Sequence, residues 1–265
     1  MIRRVLLVLA GLFLLAPIPA LATPWVAVGV SAWNTGASGT VRDTSSALNT
    51  NVNLENDLHL GHHWNGGLHV TFDDPLPLLP DLRLSYDRIL SSGSGITRQS
   101  FTFGGNVYNA NGQIQSQALL RQGSVLLFWN PLDDSLVNWR FGFEARWIKL
   151  NVAASGQGVA TAPGGGTQPY QVSGSAGGVV WLPLLDTGVT LHLPAGFEIS
   201  GDAAFIHVGS SYLYDARAGL GYSFGPGLSA SVGYRRLRVH LESSRISLNG
   251  TAEFSGVYAG LGWHF

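Results

Sequence analysis

Phe254 to Phe265 reads FSGVYAGLGWHF. Phe265, Trp263, Leu261, Ala259 and Val257 are apolar, and between them lie His264, Gly262, Gly260, Tyr258 and Gly256. Alternate side chains of a β-strand point to opposite faces. The segment therefore predicts a strand with one wholly apolar face and one face of small or amphipathic residues that can approach other backbone. A soluble sheet can alternate in the same way, but it seldom carries Trp and Phe along an apolar row with nothing polar in it.

Composition extends this reading. Charged residues are 12% of the chain, about half the usual share of a soluble protein. There are 35 Gly and 8 Trp but a single Met, and helical periodicity is nearly absent. After the amino-terminal stretch no apolar run is long enough for a membrane helix. A chain that is poor in charge yet lacks such runs can meet lipid through every second residue of a β-barrel. A net charge of −1 excludes the basic footprint of nucleic-acid binding. The chain has no Cys, which excludes disulfides, thiolate metal sites and a thiol nucleophile.

The first residues predict an export signal, with Arg3 and Arg4 as its basic start and Val5 to Leu15 as its apolar core. Ala20-Leu21-Ala22 forms the small-x-small cleavage site. Residues 1–22 are then removed, and 23–265 form one domain.

Alternating segments recur along that domain. They are Thr23–Trp33, Leu60–Asp73, Asp81–Ser91, Ser116–Asn130, Leu136–Val152, Val179–Leu193, Phe197–Val208, Tyr212–Phe224, Leu228–Leu241 and the closing stretch. Short turns at Pro75–Pro80, Pro131–Ser135, Pro194–Gly196 and Gly225–Gly227 mostly alternate with longer connections. Thr35–Leu58 reads as a polar loop. Ser92–Gln113 reads as a loop or as strands prolonged above the membrane, and Ala153–Gly178 as a mobile low-complexity loop. Gly209–Ser211 is short where a long connection is expected. The fold expected is an all-β, transmembrane, antiparallel up-and-down barrel of ten strands, with eight as the alternative.

The segments PLPLLPDLRLSYD (Pro75–Asp87) and LPLLDTGVTLHLP (Leu182–Pro194), the run FGPGLSASVGYRRLRV and the end GLGWHF resemble a proteobacterial family of small outer-membrane β-barrel proteins without an assigned function. The resemblance covers most of the mature chain and rests on turn and strand patterns, so it transfers no active site. It implies a bacterial outer-membrane location. It also implies insertion by the barrel-assembly machinery, which reads the terminal row Val257, Ala259, Leu261, Trp263 and Phe265.

Charge within the strands falls at inward positions: Arg83, Asp87, Arg140, Glu144, Arg146, Glu198, Asp202, Asp215 and Arg217. Charge on the lipid face costs a few kcal/mol near the midplane, and the interior of a barrel this size is little wider than its side chains. The expectation is a salt-bridged plug, with a narrow polar pore or small-ligand site as the alternative. Tyr86, Trp147 and Tyr234 are each followed two residues on by a cation, Arg88, Lys149 and Arg236. Outward cations above an aromatic girdle suit lipopolysaccharide phosphates. The apolar phase slips at this level, with Leu150, Val152, Leu237 and Val239 in the opposite register; a bulge or emergence from the membrane accounts for that.

His59, His62 and His63 lack a second ligand set, so no metal is expected, and no cofactor either. His240, Glu242 and Ser243 hold the residue types of acyl transfer, but nothing in the spacing fixes their geometry. The function expected is a monomeric, non-enzymatic structural or interaction barrel meeting outer-membrane lipid and lipopolysaccharide. A small-solute channel or carrier is the alternative, and a barrel hydrolase stands behind it.

Overall fold

The computed structural model describes residues 26–44, 50–73, 79–161, 167–225, 227–242 and 247–265, with side chains for all of these except 159–161 and 167–169. The export signal with its cleavage site, Ser243 and most of Pro75–Pro80 lie outside the described residues. Thirteen strands follow in order: β1 (Val26–Asp43), β2 (Asn51–Asn53), β3 (His63–Phe72), β4 (Asp81–Ile96), β5 (Phe101–Phe103), β6 (Asn106–Tyr108), β7 (Gln113–Asp133), β8 (Val137–Thr161), β9 (Thr167–His192), β10 (Phe197–Val208), β11 (Ser211–Ser223), β12 (Leu228–Leu241) and β13 (Leu248–His264).

Ten of these strands close into one antiparallel ring, in the order β1-β3-β4-β7-β8-β9-β10-β11-β12-β13 and back to β1. β1 and β13 seal it from Ala27↔His264 to Asp43↔Leu248, and the Phe265 N–H donates to the Val26 carbonyl at 2.9 Å. In the lower barrel closure pairs each ring strand on both sides, as lipid requires; β9 is paired with β10 only from Leu185 to His192. The ten-strand expectation holds.

The lipid-facing band follows the sequence parity. Val257 and Leu261 are 53% and 56% exposed, and Trp263 and Phe265 continue their row. Phe72, Leu84, Val125, Phe143, Leu185, Ile199, Leu220 and Val232 carry the band around the ring. Tyr214 to Phe224 covers roughly 34 Å of strand and about 26 Å of height at a tilt near 40°, which matches a lipid-facing band of about 25 Å.

Several strands run well beyond that height; two loop expectations are corrected there, and for Ser92–Gln113 the alternative of prolonged strands holds. Thr35–Leu58 is not a solvated loop: β1 continues to Asp43, β2 pairs with it, and Val52, Leu54 and Leu58 are buried. Ser92–Gln113 carries β4 on to Ile96 and then the β5–β6 hairpin, whose Phe101, Phe103 and Tyr108 pack inward. In place of the expected loop Ala153–Gly178, β8 and β9 stay paired from Ala153↔Ser175 to Thr161↔Thr167. Their inward residues Val152, Ala154, Val172 and Ala176 are buried, and their outward ones are Ser and Gln.

The phase slip has a specific cause. No bulge occurs at Leu150 or Leu237, since the pairings of β8 with β9 and of β12 with β11 and β13 run without a shift. The pairing of β7 with β8 shifts only between Trp129 and Leu132, at the turn end. What changes is the polarity of the two surfaces. Inward residues pass from charge to apolar at one level: Asp87 to Ile89, Arg146 to Ile148, Asp215 to Leu213, Arg235 to Leu237. Outward residues pass from aromatic to cationic at the same level: Tyr86 to Arg88, Trp147 to Lys149, Tyr234 to Arg236. The lower barrel is apolar outside and charged inside. The upper lobe is largely polar outside, with Ile96, Val107 and Val179 as exposed exceptions, and dry inside, with Leu120, Leu213, Leu237 and Phe254 at 0% exposure.

Candidate functional site

The lower bore is filled by two adjacent runs of ion pairs. Arg146 donates from Nε and Nη2 to both oxygens of Glu144, at 2.8 and 2.9 Å, and from Nη1 to Asp215 Oδ2 at 2.6 Å. Arg235 donates to both Asp215 oxygens, at 2.9 and 2.8 Å, and to Asp87 Oδ2 at 3.1 Å. Gln122 Nε2 completes the Asp87 contacts at 2.7 Å. A second run joins Arg140 to Asp186 at 3.1 Å and to Asp202 at 2.6 Å, with Arg217 on the other Asp202 oxygen at 2.8 Å. Arg83 donates to Thr71 Oγ1 at 3.0 Å, and its guanidinium and that of Arg140 each lie 5.4 Å from the Phe128 ring centroid.

All nine residues expected inside point inward, and eight of them line one cavity; Glu198 lies nearer the turns, beside His192 and Ser223. The sequence reading missed Arg235, Asp186 and Gln122. Parity was a signal for the first, because an outward Tyr234 puts Arg235 inside. Counted together, Arg83, Arg140, Arg146, Arg217 and Arg235 balance Asp87, Glu144, Asp186, Asp202 and Asp215. Charges taken from water must be paired to be tolerated, and this set has no net sign that would select an ion.

Little room remains among them. The cavity within the network is about 80 Å³. On the turn side a vestibule of about 360 Å³ opens below it, lined by Ser31, Thr71, Asn130, Thr190, Ser229 and His264 among others. On the other side the bore meets the dry core of the upper lobe. There Tyr108 Oη donates to the Ala154 carbonyl at 2.7 Å, its ring stacks on Phe101 with centroids 5.0 Å apart, and burial pushes its phenol up to about 12. In the β7–β8 turn the N–H groups of Leu136 and Val137 donate to Asp134 Oδ1 at 2.8 and 2.7 Å, which holds that carboxyl below its ordinary range.

The rim cations are not one group. Arg88 and Lys149 point outward on neighbouring walls, and Arg121, absent from the sequence reading, stands between them. Arg236 lies four strands around the ring from Arg88 and from Lys149 and is held by Glu253 at 2.8 Å. It is thus part of an ion pair rather than a companion of the other two.

The histidines do not assemble a site. His59 and His63 each contact a backbone carbonyl at 3.0 Å, of Ile96 and Ser92, and among the described residues no group could hold a metal. His240 stacks on Tyr212, reaches Thr251 Oγ1 at 2.8 Å and lies 3.7 Å from Glu242.

No family model and no curated sequence matches the chain. Among solved structures it is similar to the outer-membrane protease OmpT of Escherichia coli, with a TM-score of 0.55 and 11% identity over 91% of this chain and 96% of that one. The toluene transporter TodX of Pseudomonas putida gives 0.39 and 9%, over 92% and 91%. Ail of Yersinia pestis gives 0.33 and 9%, over 91% and 99%. At such identities the likeness speaks for the fold. With the closed ring and the apolar band, the likeness to OmpT defines the class by its fold: a transmembrane β-barrel of the outer-membrane type.

Proposed function

We propose that the protein is a non-conducting, non-enzymatic barrel that fixes a rigid, water-facing lobe above the outer membrane for contact with the cell envelope or an external partner. The observation that carries this reading is the obstruction of the bore at two successive levels. A neutralised arginine–carboxylate network comes first, and a dry core with large side chains at 0% exposure follows. A solute path would have to displace both. In this reading residues 1–22 are removed on export, and the chain is inserted as a monomer by machinery that reads the row Val257, Ala259, Leu261, Trp263 and Phe265.

Purified mature protein reconstituted into planar bilayers tests the reading. The expected result is no stepwise current at any holding potential. Regular unitary steps from the wild type would overturn it in favour of a channel.

A further inference from the structure

Arg88, Arg121 and Lys149 stand side by side on the outer wall. Register places Arg88 opposite Arg121 across β4 and β7, and Arg121 opposite Lys149 across β7 and β8. Like charges directly opposite in an antiparallel pair repel. Among the described residues none of the three has a carboxylate partner, whereas Arg236 on the far wall has Glu253. A row of three unneutralised cations is a cost that an anion would remove.

The levels above and below the row indicate which anion. The rung below it holds Tyr86, Gly123, Trp147 and Trp181. The Tyr86 and Trp147 rings lie 6.3 Å apart across Gly123, where a Cβ would come within 2.4 Å of Trp147 Nε1. Aromatic rings of this kind mark the boundary between hydrocarbon and headgroups. Directly above the cations the outward rung is Leu90, Leu119 and Asn151, and beyond it a shallow groove of about 770 Å³ runs along the same wall, lined by outward Ser92, Ser94, Gln115, Gln117, Ser155 and Ser175. These side chains are short, neutral donors and acceptors in two adjacent rungs, suited to hydroxyl groups.

We propose that the β4–β7–β8 wall binds a phosphorylated glycolipid of the outer leaflet. Acyl chains lie along Leu84, Val125 and Phe143, the phosphate sits on Arg88, Arg121 and Lys149, and the saccharide lies in the Ser/Gln groove. Guanidinium groups suit phosphate because their paired N–H donors match its oxygens. The proposal rests on the outer-membrane placement of the barrel and not on its closed bore, so a conducting wild type would leave it standing.

The test uses the mature barrel folded in detergent micelles, with purified lipopolysaccharide titrated in and followed by tryptophan fluorescence and by lipid phosphate retained on size exclusion. Removing the row with R88Q/R121Q/K149Q should weaken binding at least about tenfold. R236Q/R238Q, which removes two cations from the far wall, should alter it by less than about twofold. Enzymatically dephosphorylated lipopolysaccharide should bind the wild type as weakly as intact lipid binds the triple variant. Inorganic pyrophosphate should compete only weakly, since it lacks the acyl and sugar contacts.

Unchanged affinity in the triple variant overturns the proposal, as does equal loss in the far-wall variant or full affinity for dephosphorylated lipid. Complete displacement by pyrophosphate overturns the lipid source and assigns the row to free phosphate. Should the triple variant fail the heat-modifiable mobility test of folding, Gln117→Glu with Ser155→Glu replaces it. That pair puts carboxylates in the groove and leaves the cations intact; it should weaken binding, and unchanged binding overturns the saccharide assignment.

Discussion

The guanidinium of Arg235 lies 4.7 Å from the centroid of the Trp33 indole, so the charged plug and the dry core touch at this pair. Arg235 is committed below to Asp215 and Asp87, and the Trp33 Nε1–H donates to the Gly256 carbonyl at 3.2 Å. The ring thus serves as the floor of one layer and the lid of the other. Trp33→Leu removes the cation–π contact, the N–H donor and much packed surface, and should destabilise the folded barrel by about 3–5 kcal/mol. Urea unfolding in lipid vesicles, monitored by circular dichroism, checks this.

Breaking the plug should cost more than replacing it. Arg235→Met leaves Asp87 and Asp215 in the bore without the cation that bridges them, an expected loss of about 3–5 kcal/mol. Arg235→Met combined with Asp215→Leu and Asp87→Leu removes charge of both signs and should recover much of that loss. The same unfolding assay decides it; a triple variant no more stable than Arg235→Met would mean that the network is not a unit.

Adjacent residues on β12 should respond in opposite ways. Leu237 is 0% exposed in the dry core, whereas Arg238 faces outward over the Tyr212 ring. Leu237→Asp buries an unpaired carboxylate at a cost of several kcal/mol, so the upper lobe should open to limited proteolysis while the lipid-embedded strands stay protected. Arg238→Gln should change stability by no more than about 0.5 kcal/mol.

Tyr108 gives the lobe an alkaline limit. Its folded-state phenol titrates at about 12, raised by burial, against an unfolded value near 10. The folded state therefore holds the proton more tightly. The stabilisation is complete below pH 10 and is lost as pH rises through about 12. Absorbance at 295 nm should show Tyr108 among the late-ionising tyrosines, followed by loss of lobe packing. Tyr108→Phe should reduce that late absorbance by one tyrosine and, by leaving the Ala154 carbonyl without its donor, cost about 1 kcal/mol at neutral pH.

Parity made the ring, its ten strands and the direction of every proposed lumen residue legible, because period-two alternation fixes faces without tertiary knowledge. Partnership was not legible. Arg235 and Asp87 are 148 positions apart and meet across the bore, a distance that no strand spacing encodes. Arg121 was missed because it follows no aromatic in its own strand: the position two residues along β7 is Gly123, and only register reveals the row it joins. The upper lobe was misread for a compositional reason. Ser, Gly and Gln facing water resemble a loop, but the small apolar residues alternating with them fill a narrow interior, and that interior becomes apparent only when the hairpins are paired.

The unbroken ladder through the change of polarity has a mechanical corollary. Below the crossing the wall is soluble in hydrocarbon, and above it the wall carries Ser, Gln and cations that hydrocarbon rejects. The molecule resembles a rivet: a shank gripped by lipid and a head, closed by its own greasy filling, too hydrophilic to be drawn back through the sheet it pierces. Its orientation is therefore set by the head itself, and withdrawal would demand unpacking that head first.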